Sequence, residues 1–488
     1  MSGLPIVEKE LPYIDLREEA VRRRFEEFLS NAMAETYGRY LSGVLNVNYM
    51  GMPGLLFYLD DEEGPLLEVL VAYSEDRVRY RVSLVRPFVS EAVVQRVIRL
   101  LEGALRFFAE TGGMGAAYFV FVPGRQLIPP RAESRAKRAL QSLFLSNLVF
   151  LFAVSIAFSY AIYVLFGPRY TPIVLILSQI PIMLASYKIV PLMMGDWKLD
   201  PAHRYVYLVG LKMPIERYQE LLQKVFLPRR YELKRRLYSA SLERGEEISE
   251  ELVKSLLSEY GVTPEEYEVE IRKIDLYGIV ERVARRFGVS APPVYLSNIV
   301  LPNAAASGVG WRLTSLVVTT GLLSRLDEEE LEAVIGHELS HVKRHDVITF
   351  FVLSSVEYLT RVYVALLFWP LFMTFLGFIY FWLSLTAFFV IAKFVEARAD
   401  IDSALIVGRP AKLASALRKI GFRHLLIERS IGGRLMAWLR WDPHPPVSYR
   451  IEKLEELARR GGARGAWGEA VSSCISDLLR TLKLALAV

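Results

Sequence analysis

The chain has 488 residues, more than one ordinary core accommodates, so two or more domains are expected. With 52% hydrophobic residues and a mean hydropathy of +0.27 it is too apolar for a purely soluble protein and too polar for a transporter that is mostly membrane. The net charge of +5 comes with no nucleic-acid motif, and basic residues that flank apolar runs fit a membrane edge better, so no nucleic-acid partner is expected. The single cysteine, Cys474, excludes a disulfide framework and a cysteine-rich zinc module.

The N-terminal stretch MSGLPIVEKELPYIDLREE carries charges where a signal peptide needs its apolar core, so none is expected. Residues 1–138 read as a soluble α+β domain. A charged helix near 16–37 leads into two alternating runs around a Ser-Glu-Asp turn (LLEVLVAYSEDRVRYRVSLV), a helix near 89–110 and the strand-like AAYFVFV. No group of residues in this domain points to chemistry.

Residues 139–168 hold no charge, a length of 30 that crosses hydrocarbon about 30 Å thick. Gly167, Pro168 and Arg169 break the run, and residues 170–187 form a second uncharged stretch, so 139–195 reads as a transmembrane hairpin. Arg131, Arg135, Lys137 and Arg138 precede it, with Lys188, Lys198 and Arg204 at its other end and Arg169 alone at the tip. The positive-inside rule puts both flanking domains in the cytoplasm. Residues 196–275 read as a charged soluble insert, followed from 276 by a compact unit.

That unit contains RLDEEELEAVIGHELSHVKRHD. Asp327 and Glu330 make a capping-box pattern for a helix. On that helix His337 and His341 lie one turn apart on one face and can reach one tetrahedral zinc. Glu338 lies about 60° around from His341, placed to address a water rather than to ligate. Metal-assisted hydrolysis needs this arrangement: the ion acidifies a water and a carboxylate collects its proton. His345, eight residues from His337, is about 12 Å along the axis and is excluded as third ligand. The best third ligand is in FVEARAD, where Glu396 can bind metal while Asp400, one turn on, accepts the outer N–H of a ligand histidine.

Residues 362–392 are again uncharged. Glu396 must return to the side of the membrane that holds His341, so the intervening chain crosses an even number of times. A second hairpin over 347–392, with limbs near 347–369 and 371–392, satisfies this. Glu357 and Arg361 in its first limb form an i,i+4 pair able to neutralise itself. Lys343, Arg344, Lys393 and Arg398 keep the site cytoplasmic. A site-two intramembrane protease would place its HExxH inside an apolar span; the charge between Asp327 and Asp346 rules that out.

Taken together, PPVYLSNIVLPNAAASG, LVVTTGLL, LEAVIGHELSHVKRHD, EARAD and HPPVSYRIEKL, over about 276–456, resemble the membrane-integrated gluzincin metallopeptidases, the HtpX-like and CaaX prenyl endopeptidase-like family. The resemblance implies α+β soluble domains, α-helical transmembrane hairpins and a mostly helical, zincin-like peptidase domain split between 276–346 and 393–488. It implies Zn2+ on His337, His341 and Glu396, and Glu338 as general base. Asn303 and Ala304 would lie on a substrate-binding edge strand, followed by Ala305 where relatives usually carry an aromatic. His444, which alone reads as a histidine in a proline-rich turn, would donate to the tetrahedral oxyanion with Arg450 assisting. His203 and His424 match nothing and read as surface residues. The implied activity is a membrane-embedded zinc endopeptidase cleaving membrane or misfolded polypeptides from the cytoplasmic side. A CaaX-type processing protease is the nearer alternative, and a catalytically idle scaffold the other, although every expected position is filled.

Overall fold

A computed structural model describes the chain apart from residues 1–3, 13, 39, 62–63, 87–88, 90, 128–147, 429–430, 463–464 and 487–488. The basic cluster Arg131–Arg138 and the start of the first expected span, 139–147, lie outside the described residues. Two compact units form: Met1–Ala117 with Leu211–Leu233 and Lys254–Val269, and Tyr118–Gly210 with Lys234–Val253 and Glu270–Val488. The stretch expected as one insert, 196–275, is thus shared between them. Its first strand has a specific employer: Trp197–Leu199 pairs with Val294–Leu296 in the second unit.

In the first unit β1 (Leu4–Pro12), β2 (Leu41–Tyr49), β3 (Met52–Asp61), β4 (Gly64–Tyr73) and β5 (Arg77–Leu84) form an antiparallel sheet in the order β1-β5-β4-β3-β2. Helices α1 (Glu19–Tyr37) and α2 (Glu91–Thr111) accompany it, with Phe25 set edge-on against both Tyr73 and Phe108. The alternation in RVRYRVSL decides which side faces in: Val78, Tyr80 and Val82 are fully buried while Arg77 is exposed. β6 (Met114–Phe121) joins β8 (Val206–Pro214) and β9 (Glu268–Ile274) in a three-stranded sheet.

The second unit carries the apolar helices. α3 (Leu148–Met194) leaves helical geometry only at Gly167, where φ is 70° and ψ 171°, a conformation that glycine adopts without a Cβ penalty. The carbonyl of Arg169, just past this break, accepts from the Tyr363 hydroxyl at 2.7 Å. β7 (Trp197–Leu199), β10 (Val294–Ser297), β11 (Ala304–Gly308) and β12 (Thr314–Thr319) form a sheet in the order β11-β12-β10-β7, leaving β11 at an edge. α4 (Leu276–Phe287) is followed by α5 (Glu328–Lys343), α6 (Asp346–Leu367) and α7 (Phe375–Val407). α3, α6 and α7 are each long and apolar enough to cross a membrane. Within that apolar region Arg361 pairs with Glu357 through Nε at 2.8 Å, and Ser384 donates to the same carboxylate at 2.9 Å. α8 (Pro410–Ile420), α9 (Ile431–Leu439), α10 (Val447–Arg460) and α11 (Ala466–Leu486) complete the unit.

α5 starts as its sequence dictates: Asp327 accepts from Glu330 N–H at 2.8 Å and Glu330 from Asp327 N–H at 2.9 Å. Leu331, Val334, Ile335, Leu339 and Val342 are buried, each contributing roughly 1.5–3 kcal/mol. Lys419 and Ser415 of α8 both bond Glu330. The crossing with α7 is close because residue 336 is glycine. A Cβ there would lie 2.5 Å from Val407 Cγ2 and 2.7 Å from Ser403 Oγ, and Ser403 Oγ donates to the Ala333 carbonyl at 2.7 Å.

Gly336→Ala tests this crossing. Alanine's better helix propensity favours the variant by about 1 kcal/mol, whereas overpacking typically costs about 1–3 kcal/mol. The net expectation is a lower thermal midpoint in detergent; a higher one would show that the helices part at no cost.

Candidate metal centre

α5 and α7 bring three donors together. His337 Nε2 lies 3.3 Å from His341 Nε2, and the Glu396 carboxylate lies 3.5 Å from each of them, through Oε2 and Oε1 respectively. Two ligands about 2.1 Å from a tetrahedral ion stand roughly 3.4 Å apart, so the spacing fits one zinc-sized ion. Among the described residues this is the group whose donor atoms could hold a metal. His337 and Glu396 are buried and His341 is half-buried.

The outer ring nitrogens have carboxylate neighbours. His341 Nδ1 lies 2.6 Å from Asp346 Oδ2. His337 Nδ1 lies 2.8 Å from Asp400 Oδ1, at an angle outside good hydrogen-bond geometry, so this contact is a close electrostatic one. Both rings present Nε2 to the shared point, and a proton on Nδ1, beside the carboxylate, is the tautomer a metal ligand needs. Burial alone would lower the proton affinity of His337. The carboxylates of Asp400 and Glu396 outweigh it and lift the imidazole to about 10. The pocket therefore attracts positive charge, which suits a divalent cation.

Asp400 is held in turn by Arg450, whose Nε and Nη2 each donate at 2.7 Å. Asp346 also accepts from the fully buried Arg398, which faces Asp402; Asp402 accepts from Arg344 and Ser340. Asp346 is the site residue that the motif reading missed. On an unbroken helix a residue five after His341 faces away by about 140°. Here α5 ends at Lys343, and His345 takes the left-handed conformation (φ 57°), turning Asp346 back toward the ring. Only that backbone turn, invisible in the residue types, reveals the contact.

The remaining expected residues line one cavity of about 280 Å3: Asn303, Ala304, Glu338, His444 and Arg450. Glu338 Oε2 accepts from the Ala306 N–H at 3.0 Å. The carbonyl of Asn303 accepts from Thr319 N–H in β12, so Ala304 and Ala306 turn their main-chain groups to the free edge of β11. His444 is half-exposed, and its Nδ1 lies 2.9 Å from Glu396 Oε2. Arg450 is buried, with two nitrogens committed to Asp400. Leu322, Val334, Leu413, Leu417 and Ile420 form the cavity's apolar wall. His424, read from the sequence as a surface residue, is exposed but lines the same cavity. His203 is half-buried, its Nδ1 2.9 Å from Asp200. His345 is exposed, its Nδ1 3.3 Å from the Val309 carbonyl, and takes no part in the donor group.

Comparison with known proteins points to one peptidase family. Residues 270–458 match peptidase family M48. A protease HtpX homolog of Thermodesulfovibrio yellowstonii is 30% identical over 38% of this chain and 76% of its own length. One from Aquifex aeolicus is 32% identical over 43% of this chain and 79% of its own. The crystal structure of S. mikatae Ste24p aligns over 75% of this chain and 76% of its own at 13% identity and a TM-score of 0.36, too distant to place residues. With the HtpX homologs matched over three quarters of their length, this chain belongs to peptidase family M48 and is one of its HtpX-like membrane members.

Proposed function

We propose that this protein is a zinc-dependent endopeptidase whose active site faces the cytoplasm and which cleaves membrane or misfolded polypeptides. The observation that carries the reading is the donor triangle of His337, His341 and Glu396 with Glu338 beside it on α5. Zinc in that triangle supplies a Lewis acid that makes water ionisable near neutral pH. The chain's own residues do the rest. Glu338, its Oε2 steadied by the Ala306 N–H, takes the proton of the attacking water and passes it to the leaving amine. The edge of β11, through the main chain of Ala304 and the carbonyl of Ala306, pairs with an extended substrate strand, beside Asn303. His444, at the wall of the cavity, is the donor to the developing oxyanion. Arg450 adds positive charge at the cavity wall while fixing Asp400, and Asp400 fixes His337.

In this reading the two halves of α3, on either side of Gly167, and the pair α6 and α7 each return the chain to the catalytic side, and the exposed Lys188, Lys198, Lys343 and Arg344 at their bases favour the cytoplasm. Lys393 and Arg398 are buried and serve the fold instead. With Cys474 replaced by serine, a cysteine at Arg169 is expected to react with an impermeant thiol reagent added outside the cell. Labelling from the cytoplasmic side alone would reverse the topology.

Metal analysis of the purified protein is expected to find about one zinc per chain. Glu396→Ala loses it and His345→Ala keeps it; stoichiometric zinc in Glu396→Ala would remove that residue from the ligand set.

Glu338→Gln separates base from ligand. The amide is nearly isosteric but accepts no proton at neutral pH. The variant is expected to keep its zinc and lose on the order of 10²–10⁴-fold in cleavage of an unfolded test protein. The wild-type activity is expected to stop with a zinc chelator. Wild-type rates in Glu338→Gln would place the activity elsewhere.

A further inference from the structure

α9 presents two unlike faces. Arg434 and Trp438, one turn apart, point into the protein. Arg434 pairs with Glu452 of α10 and Asp477 of α11, and the buried Trp438 donates its indole N–H to Asp477 at 2.9 Å. Met436 lies about 200° around from Arg434 by helical geometry. It faces outward and is 63% exposed. Just beyond the helix, Trp441 is 43% exposed, yet it is pinned. Its Nε1–H donates to Thr386 at 3.1 Å, and its ring stands edge-on to Phe381 at 6.1 Å.

Thr386 and Phe381 belong to the uncharged part of α7. Lys393, the first charge after it, donates to the carbonyls of Arg440 at 2.9 Å and Asp442 at 2.5 Å. The main chain of this turn therefore sits level with Lys393. The indole of Trp441 reaches Thr386, seven residues earlier and about 10 Å along the axis. In water this surface would leave a methionine and an indole bare beside an apolar helix. At the headgroup–acyl boundary both are buried, since aromatic belts sit there and interfacial helices lie about 5–10 Å deep. The same segment walls the cavity: Ala437 of α9 and Arg440 just past it line the cavity together with Glu338 and His444.

We propose that α9 and the turn through Asp442 form an interfacial helix seated on the lipid bilayer, and that this helix is the membrane-side wall of the active-site cavity. A polypeptide reaching Glu338 then passes along the membrane surface, and peptide bonds close to a membrane anchor are presented first. This rests on α7 crossing the bilayer, as in the function proposed above.

The test places single cysteines at Met436, at Phe378 on α7 and at the exposed Arg459 on α10, each with Cys474→Ser and each carrying an environment-sensitive fluorophore. The full-length protein is reconstituted in phosphatidylcholine–phosphatidylglycerol vesicles. The probes at 378 and 436 are expected to be quenched by lipid-borne nitroxide and shielded from iodide, and the probe at 459 the reverse. If 378 is quenched from the lipid while 436 behaves like 459, α9 is not interfacial and the inference falls while the spanning reading stands. If 378 is open to iodide and not to the lipid quencher, the spanning reading falls first. A second arm uses Met436→Asp, which is expected to cleave a short soluble peptide at the wild-type rate and a bilayer-anchored peptide severalfold more slowly. Equal rates on both substrates, or equal losses, would overturn the proposal.

Discussion

The site depends on one close crossing, α7 over α5 at Gly336. His337 and His341 are set by the pitch of a single helix, but Glu396 arrives from another helix some sixty residues later in the chain. Its carboxylate stands 3.5 Å from each imidazole on a helix that approaches α5 at Gly336, where a Cβ would meet Ser403 and Val407. The Ser403 hydroxyl, bonded to the Ala333 carbonyl, then fixes the register of the crossing, one turn before the first histidine. Packing and chemistry are continuous here, because the contact that excludes a methyl group also sets a donor spacing.

Buried charge surrounds this crossing to an extent that apolar burial alone would not favour. Two arginines, 398 and 450, are almost completely enclosed, and each serves a carboxylate that faces a metal-site histidine. Burying such ions costs several kcal/mol apiece before their mutual attraction is counted. What the pairs provide is direction. An imidazole backed by an anchored carboxylate cannot swing its Nε2 away from the shared point.

The helix with the histidines, its capping box, the apolar segments and the Glu357–Arg361 pair were legible because each is a local pattern: a spacing of three or four, or an uncharged run. Glu396 and Asp400 were legible only as a pair of acids that makes sense once an HExxH is present. What escaped was set by backbone turns and distant packing. Asp346 needs a left-handed histidine to face His341. Arg450 also spends two nitrogens on Asp400, a contact that no motif displays, and His424 reaches the cavity by the course of the chain after α8. Trp197–Leu199 looked like the start of an insert because a three-residue strand has too few positions to show a period, yet it pairs with β10 in the sheet that ends on β11.

The left-handed residue His345 joins two kinds of element. Before it lies the helix that holds the histidines; directly after it Asp346 opens α6, an apolar helix long enough to cross a bilayer. Asp346 also steadies His341, 2.6 Å from its ring. The carboxylate that backs His341 thus belongs to the first turn of that apolar helix rather than to a loop, so the set of the imidazole and the placement of α6 are one constraint.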